Sequence, residues 1–167
     1  DLPEGGVGAV AVGAVVALAV SVAVVEFVRR VLGLRSRFVI GSDLRILHIL
    51  DHSIPLHSGY TFRTLSILRE QRRLGWETYH LTSPKHTEPS GVEETVDGWH
   101  FYRTSSPTGA RLPGFAEVAL IKQTQARLLE VARMVRPDIL HAHSPVLNVI
   151  PALRVGRQLG IPVVYEV

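Results

Sequence analysis

The chain has 167 residues, enough for one α/β domain and an extension. Its formal net charge of +3 is small, and the basic residues are scattered apart from one group near residue 30, so nothing indicates nucleic-acid binding. Cysteine is absent, which excludes disulfides and thiolate metal sites. The first methionine is Met134 and the last residues have the pattern of a strand, so we expect a piece of a longer protein.

Residues 1–40 contain a candidate transmembrane helix with a basic flank. Residues 7–25 are apolar except for Ser21, and a helix of that length nearly crosses the hydrocarbon core of a bilayer. Acidic residues precede it and arginines follow it, which would place the following domain in the cytoplasm. Two alternatives are the last of several membrane spans and a stretch upstream of a true start near Val39 or Asp43.

The stretch from Leu44 to Leu81 has the pattern of a strand, a loop, a helix and a second strand. The dense apolar run at 44–50 is typical of a strand buried on both faces of a parallel sheet. In the helix, from about residue 60 to residue 74, we expect Phe62, Leu65, Leu68 and Leu74 to share the packed side, and Gly75 to cap the end. This order predicts an α/β fold with a doubly wound, mainly parallel, Rossmann-like sheet.

The loop at 51–59 is predicted to bind an anionic group. It joins the end of a strand to the start of a helix, where free N–H groups and the helix dipole favour phosphates. Gly59 would let a ligand approach the backbone closely, whereas the dinucleotide fingerprint G-x-G-x-x-G is absent. An ordinary tight turn remains an equal alternative, and His52 and Arg63 are either ligand contacts or solvated side chains.

The rest of the chain continues the α/β alternation. Asp97-Gly98 predicts a hairpin within 92–103. Helices are predicted at 115–135, with Val118 and Leu128 on the packed face, and at 146–159, with Leu153 on the packed face and either a late start or a kink because of Pro151. Strands are predicted at 138–143 and 161–165. The loops at 51–59, 82–90 and 144–148 should then meet at the carboxyl edge of the sheet, where ligands bind.

His141 and His143 lie two apart on the strand at 138–143 and so point to the same side. A His-x-His pair can bind zinc, but such a site needs further ligands and none is close in sequence, so no metal is predicted. We interpret His141 as a core histidine. Glu166 follows the last strand, either at the ligand cleft or as an exposed end residue.

Three segments resemble a known family: LRILHILDHSIPLHSGYTFR, EETVDGWHFYRT and RPDILHAHSPVLNVIPALRVGRQLGIPVVYEV. Together they make residues 43–167 similar to the amino-terminal half of the family 4 glycosyltransferases of the GT-B fold. The sequence of these segments most resembles the subgroup associated with exosortase A systems, which work in bacterial exopolysaccharide assembly. The resemblance implies a truncated Rossmann-like domain that lacks its carboxyl-terminal donor domain.

The resemblance also implies a chemistry. It is the transfer of sugar, with retained anomeric configuration, from a UDP- or GDP-linked donor to a glycan or lipid-linked acceptor. It involves no cofactor, metal or nucleic acid, and takes place at the cytoplasmic face of the bacterial plasma membrane. His143, before Ser144-Pro145, matches the family histidine near the transferred sugar and reacting phosphate. Contacts to donor phosphate or acceptor are implied for Ser58, Gly59, Tyr60, Arg63, His52, Ser144 and Glu166.

One departure concerns the turn, where many relatives carry two glycines and this chain has Ser58 before Gly59. The subgroup shares the Ser-Gly pair, so we expect phosphate approach to survive. The isolated 167 residues should be inactive without the donor domain. A membrane-anchored, non-catalytic Rossmann-like binding module is the alternative from another class, and a dinucleotide-dependent oxidoreductase lacks its glycine fingerprint.

Overall fold

The computed structural model describes residues 44–87, 91–105 and 115–166. In these ranges the chain forms six strands and three helices: β1 Arg45–Leu50, α1 Gly59–Arg73, β2 Glu77–Thr82, β3 Glu93–Val96, β4 Trp99–Arg103, α2 Phe115–Val135, β5 Ile139–Ala142, α3 Val149–Leu159 and β6 Val163–Tyr165. The candidate membrane helix, residues 88–90 and most of the loop before α2 lie outside the described residues. None of the helices in the described ranges is long and apolar enough to cross a bilayer.

The sheet confirms the predicted α/β, mainly parallel architecture. Its strand order is β3-β4-β2-β1-β5-β6, and every neighbouring pair is parallel except the β3–β4 hairpin. The central strand β1 pairs with β2 on one side and with β5 on the other. The direction of winding therefore reverses at β1, and ligands of open α/β sheets bind outside the carboxyl ends of the strands at such a point.

Local chemistry fixes the ends of the elements much as the sequence predicts. Gly75, with φ of 82°, ends α1, and the N–H groups of Gly75 and Trp76 donate to the carbonyls of Arg72 and Gln71 in a Schellman motif. Asp97 and Gly98, with φ of 50° and 76°, form the tight turn between β3 and β4. Val149 is the first residue of α3, so Pro151 lies in its first turn, as the predicted late start requires.

The two faces of the sheet carry different cores. On one face α2 and α3 bury an apolar cluster that includes Leu47, Leu81, Leu128, Leu140 and Val155. The other face packs Leu65 and Leu68 of α1 against a smaller cluster with Leu50, Trp99 and Phe101, and it also buries polar side chains. The polar groups of the molecule thus concentrate beneath α1.

Several predicted packing positions are wrong. Phe62 and Leu74 are 56% and 55% exposed, because α1 buries Thr61, Thr64 and Gln71 beside its two leucines, against a sheet face rich in polar groups. Leu153 is also exposed, since α3 turns Ala152, Val155 and Gly156 inward. Val118 is exposed because α2 buries a later stretch that contains Leu128, Val131, Ala132 and Val135.

Candidate functional site

Polar side chains from three loops are joined at the carboxyl edge of the sheet. The Asp51 carboxylate, just after β1, lies 3.2 Å from Nζ of Lys85 and accepts a 3.1 Å hydrogen bond from the amide of Asn148. The same amide donates to Oγ of Ser144 at 2.8 Å, and the N–H of Asp51 donates to the hydroxyl of Tyr60 at 3.0 Å. We call these five residues the edge cluster, and it brings the three loops together as predicted.

The start of α1 lies at the same edge and is only partly capped. Oγ of Ser58 accepts from the N–H of Thr61 at 3.1 Å, and the carbonyl of Ser58 accepts from Phe62. Within the described chain, the N–H groups of Gly59 and Tyr60 form no hydrogen bond. A Cβ at Gly59 would meet no atom within 4 Å, so open space lies in front of this turn. Two free donors therefore lie at a helix amino terminus whose first residue, Gly59, is exposed.

The side chains around this turn set its electrostatics. Nε2 of His52 lies 2.8 Å from Oγ of Ser58, and the His52 ring packs 4.9 Å from the Tyr60 ring. Burial raises the pKa of Tyr60, so its hydroxyl stays neutral and can accept from Asp51. Arg63 lies 3.5 Å from Oε1 of Glu166 and leaves nearly half of its side chain exposed. Arg63 therefore provides an accessible positive charge at this turn, beside the neutral ring of Tyr60.

A row of histidines crosses the sheet under α1. His80 of β2, His48 of β1 and His141 of β5 are direct neighbours in the strand register, and His143 follows just after β5. All four are buried, with ring centroids 5.0 Å apart between His48 and His141 and 4.1 Å apart between His141 and His143. The Nδ1 and Nε2 atoms of His80 lie 2.8 and 3.0 Å from the His100 carbonyl and the Thr78 hydroxyl, and burial lowers its pKa to about 3. His80 is therefore neutral at physiological pH, with both nitrogens partnered.

The structure places His143 beneath the edge, in contact with other side chains. Its Nε2 lies 2.7 Å from Nδ1 of His48, its Nδ1 lies 3.0 Å from Oε2 of Glu166, and its side chain is 0% exposed. Glu166 is the more accessible partner, and the contact with His143 lowers the pKa of its carboxyl group. The predicted catalytic role of His143 stays a prediction, and in this geometry His143 meets the edge through Glu166.

His48, His141 and His143 each bring one ring nitrogen within 4.8 Å of the other two, a grouping that could hold a metal ion. Two nitrogens bound to one tetrahedral zinc, each at about 2.0–2.1 Å, lie about 3.4 Å apart. The 2.7 Å separation between His48 and His143 is shorter and is that of a hydrogen bond. As arranged, His48 and His143 hydrogen-bond to each other and His141 packs against both rings, and the absence of a metal stays a prediction.

The structure brings the predicted site residues to one edge of the sheet. Ser58, Gly59, Tyr60, Arg63 and His52 surround the start of α1, Ser144 belongs to the edge cluster, and Glu166 connects Arg63 to His143. Sequence reasoning missed functional candidates whose signal is only their position just after a strand or opposite a site residue: Asp51, Lys85, Asn148, His48 and Gln71. A surface concavity lined by Arg72 and residues 75–79 lies at the opposite end of β2, away from this site.

A mainly parallel sheet with polar side chains and a free helix start at its carboxyl edge is the arrangement that doubly wound ligand-binding domains use. The glycosyl transferase 4-like domain family matches residues 58–167, and the chain belongs to this family. This result confirms the coarser part of the resemblance, a family 4-like domain of the GT-B type.

Two comparisons give the level of similarity. The sulfoquinovosyl transferase SQD2 of Arabidopsis thaliana is 32% identical over 108 residues, which are 64% of this chain and 19% of that protein. The chain thus spans about a fifth of that relative's length. A crystal structure of MurG from Acinetobacter baumannii superposes with a TM-score of 0.53 at 16% identity, over 73% of this chain and 34% of that one. The likeness to MurG supports the fold.

Proposed function

We propose that this domain is the amino-terminal, acceptor-side half of a retaining glycosyltransferase. The enzyme would move sugar from a UDP- or GDP-linked donor to a glycan or lipid-linked acceptor. The observation that carries the proposal is the start of α1, where the N–H groups of Gly59 and Tyr60 have no partner among the described residues and Gly59 is exposed. This start lies inside the segment that matches the glycosyl transferase 4-like family.

The charges at the edge suit a phosphorylated donor. A phosphate at the start of α1 would accept from the two free N–H groups and gain from the helix dipole. Arg63 and Lys85, with 46% and 44% of their side chains exposed, supply positive charge at this edge, where each is paired with a carboxylate. Asp51 and Glu166 provide carboxylate oxygens that can accept hydrogen bonds from sugar hydroxyls.

The biological setting of the proposal rests on the resemblance of the three sequence segments. We place the enzyme in exopolysaccharide assembly with the exosortase-associated subgroup, acting at the cytoplasmic face of the plasma membrane, without cofactor or essential metal. The Arabidopsis relative is named a sulfoquinovosyl transferase, and transfer of a sugar group is the class of reaction proposed here. The donor domain would be supplied by the rest of the protein, and robust turnover by these 167 residues alone would refute that division.

Calorimetric titration of the full-length protein with UDP- and GDP-sugars tests the donor class. Nucleotide release in the presence of acceptor lipid then tests transfer. We expect saturable binding by one nucleotide class and turnover that requires acceptor. The absence of binding across the panel, in a protein shown to be folded, would refute the proposal in favour of a non-catalytic module.

A matched pair of histidine variants tests the site. His143→Ala should retain donor binding and lose turnover. His100→Ala removes a partly exposed histidine on β4, two strands from β1, and should retain both. Thermal melts of both variants must first show a cooperative transition. Equal turnover in the two variants would exclude His143 from the reaction.

A further inference from the structure

Four side chains form a chain of close polar contacts from the covering helix to the edge of the sheet, and its last contact, between Nδ1 of His143 and Oε2 of Glu166, is an ion-pair approach without hydrogen-bond geometry. Gln71 of α1 is fully buried, and its Oε1 lies 2.8 Å from Nε2 of His48. Nδ1 of His48 lies 2.7 Å from Nε2 of His143, and Nδ1 of His143 lies 3.0 Å from Oε2 of Glu166. Gln71 and His48 belong to none of the contacts that support the proposed donor site.

The direction of hydrogen bonding follows from the first member of this chain. A carbonyl oxygen only accepts, so Nε2 of His48 carries the hydrogen, and in a neutral ring Nδ1 is then an acceptor. Nε2 of His143 must therefore donate to it. A neutral His143 with its hydrogen on Nε2 presents a lone pair to the Glu166 carboxylate at 3.0 Å. Two facing acceptors repel, and a proton between them removes the repulsion.

We propose that Gln71 and His48 are positioning residues. They fix the hydrogen of His143 on Nε2, so that the His143–Glu166 pair holds one further proton between Nδ1 and the carboxylate. The proton count follows from the tautomers and the 3.0 Å approach of Nδ1 to the carboxylate, whereas its consequence for turnover rests on the proposed function. The pair lies between Gln71 in the interior and Arg63 at the edge.

The groups that face this pair act in opposite directions. Burial lowers the pKa of His48 and of His141, so both stay neutral, and the buried His80 is neutral as well. Arg63, at 3.5 Å from Oε1, favours the charged form of Glu166. Burial is the largest influence on His143 and lowers its pKa, and the facing carboxylate opposes this shift only in part, so the extra proton is inferred from the 3.0 Å approach of two acceptors alone.

Side-chain NMR tests the inference directly. In full-length protein labelled with [15N]histidine, long-range 1H–15N spectra show which ring nitrogens carry hydrogens. Substitution of each of the eight histidines in turn assigns the signals. At neutral pH we expect His48 with hydrogen on Nε2 only and His143 with hydrogen on both nitrogens. Glu166→Gln should remove one titrating proton from the pair and leave His48 unchanged, because an amide N–H can donate to Nδ1.

Two substitutions at Gln71 separate positioning from packing. Gln71→Glu keeps an acceptor oxygen and should preserve both tautomers, whereas Gln71→Met removes the acceptor and should mix the tautomers of His48. In the proposed reaction, Gln71→Met should lower turnover about tenfold with unchanged donor affinity. Gln71→Glu should keep the turnover of the parent protein. Wild-type turnover in a folded Gln71→Met protein with altered tautomers would overturn the positioning role.

Other outcomes overturn the proton count itself. The amide nitrogen of Gln71 has no partner among the described residues, and a reversed chain would use it as a donor. His48 would then carry its hydrogen on Nδ1, and Gln71→Glu would exchange the tautomers of both rings. A protein isolated with Zn²⁺ bound and without hydrogen on Nε2 of His143 would also refute the inference. If the tautomers are confirmed but neither the parent nor any variant binds donor or turns over, the proposed function is refuted instead.

Discussion

Gly59→Ala separates the stability of the domain from its proposed chemistry. Gly59 is the first residue of α1 and is not among the glycines with positive φ, so alanine there stabilises by about 0.4–1 kcal/mol, chiefly by reducing the conformational freedom of the unfolded chain. The new Cβ meets no atom within 4 Å, so nothing opposes this gain. The same Cβ would occupy the space from which a donor phosphate approaches the N–H groups. A hydrogen bond to a charged group is worth about 1.5–3 kcal/mol, which corresponds to about 10- to 150-fold weaker donor binding.

Urea unfolding and donor calorimetry on the same protein check both parts. We expect Gly59→Ala to have a higher free energy of unfolding and a weaker affinity for the nucleotide-sugar. Gly156→Ala is the matched control inside α3, where a Cβ would lie 2.6 Å from Cγ2 of Val163 and 2.7 Å from the Ile161 carbonyl. Overpacking there should cost about 1–3 kcal/mol, more than the helix gains. Unchanged donor affinity in Gly59→Ala would refute the approach of phosphate at this turn.

Two further predictions concern stability. Arg103→Met should lower the free energy of unfolding by about 2–4 kcal/mol, since the buried guanidinium donates to Glu94 at 2.9 Å and to the Ile54 carbonyl at 2.7 Å. Exposed Arg154→Met is the control, and equal urea midpoints would contradict the argument. For His80, the unfolded state binds a proton below about pH 6.5 that the folded state rejects until about pH 3, so stability falls as pH falls through this window. Urea unfolding at several pH values should show a shallower fall in His80→Gln, and parallel curves for mutant and parent would exclude His80 as a source.

Local chemistry explains why much of the fold could be predicted. Gly75 and Asp97-Gly98 adopt the left-handed backbone that their positions require. The short apolar strands form a mainly parallel sheet, as their composition predicts. The position of Ser58 and Glu166 at one edge follows from the rule that the carboxyl ends of parallel strands share an edge.

The rest of the site depends on tertiary pairing. His48 and His143 are 95 positions apart, and they meet because β1 inserts between β2 and β5, an order that no local pattern contains. The inward face of α1 was mispredicted for the same reason. Helical periodicity selects apolar residues such as Phe62, whereas the sheet face beneath α1 offers histidines, which favour Gln71 and threonines as neighbours.

Helix α1 serves two sites that lie about 18 Å apart along its axis, since 12 residues separate Gly59 from Gln71 at about 1.5 Å each. Its first turn offers the free N–H groups, and Gln71 near its far end holds the histidine chain. Glu166 connects the two ends, because it lies 3.0 Å from His143 and 3.5 Å from Arg63, which is four residues after Gly59. A phosphate at the first turn would then change the acidity of the His143–Glu166 pair, and such linkage between anion and proton binding is reciprocal.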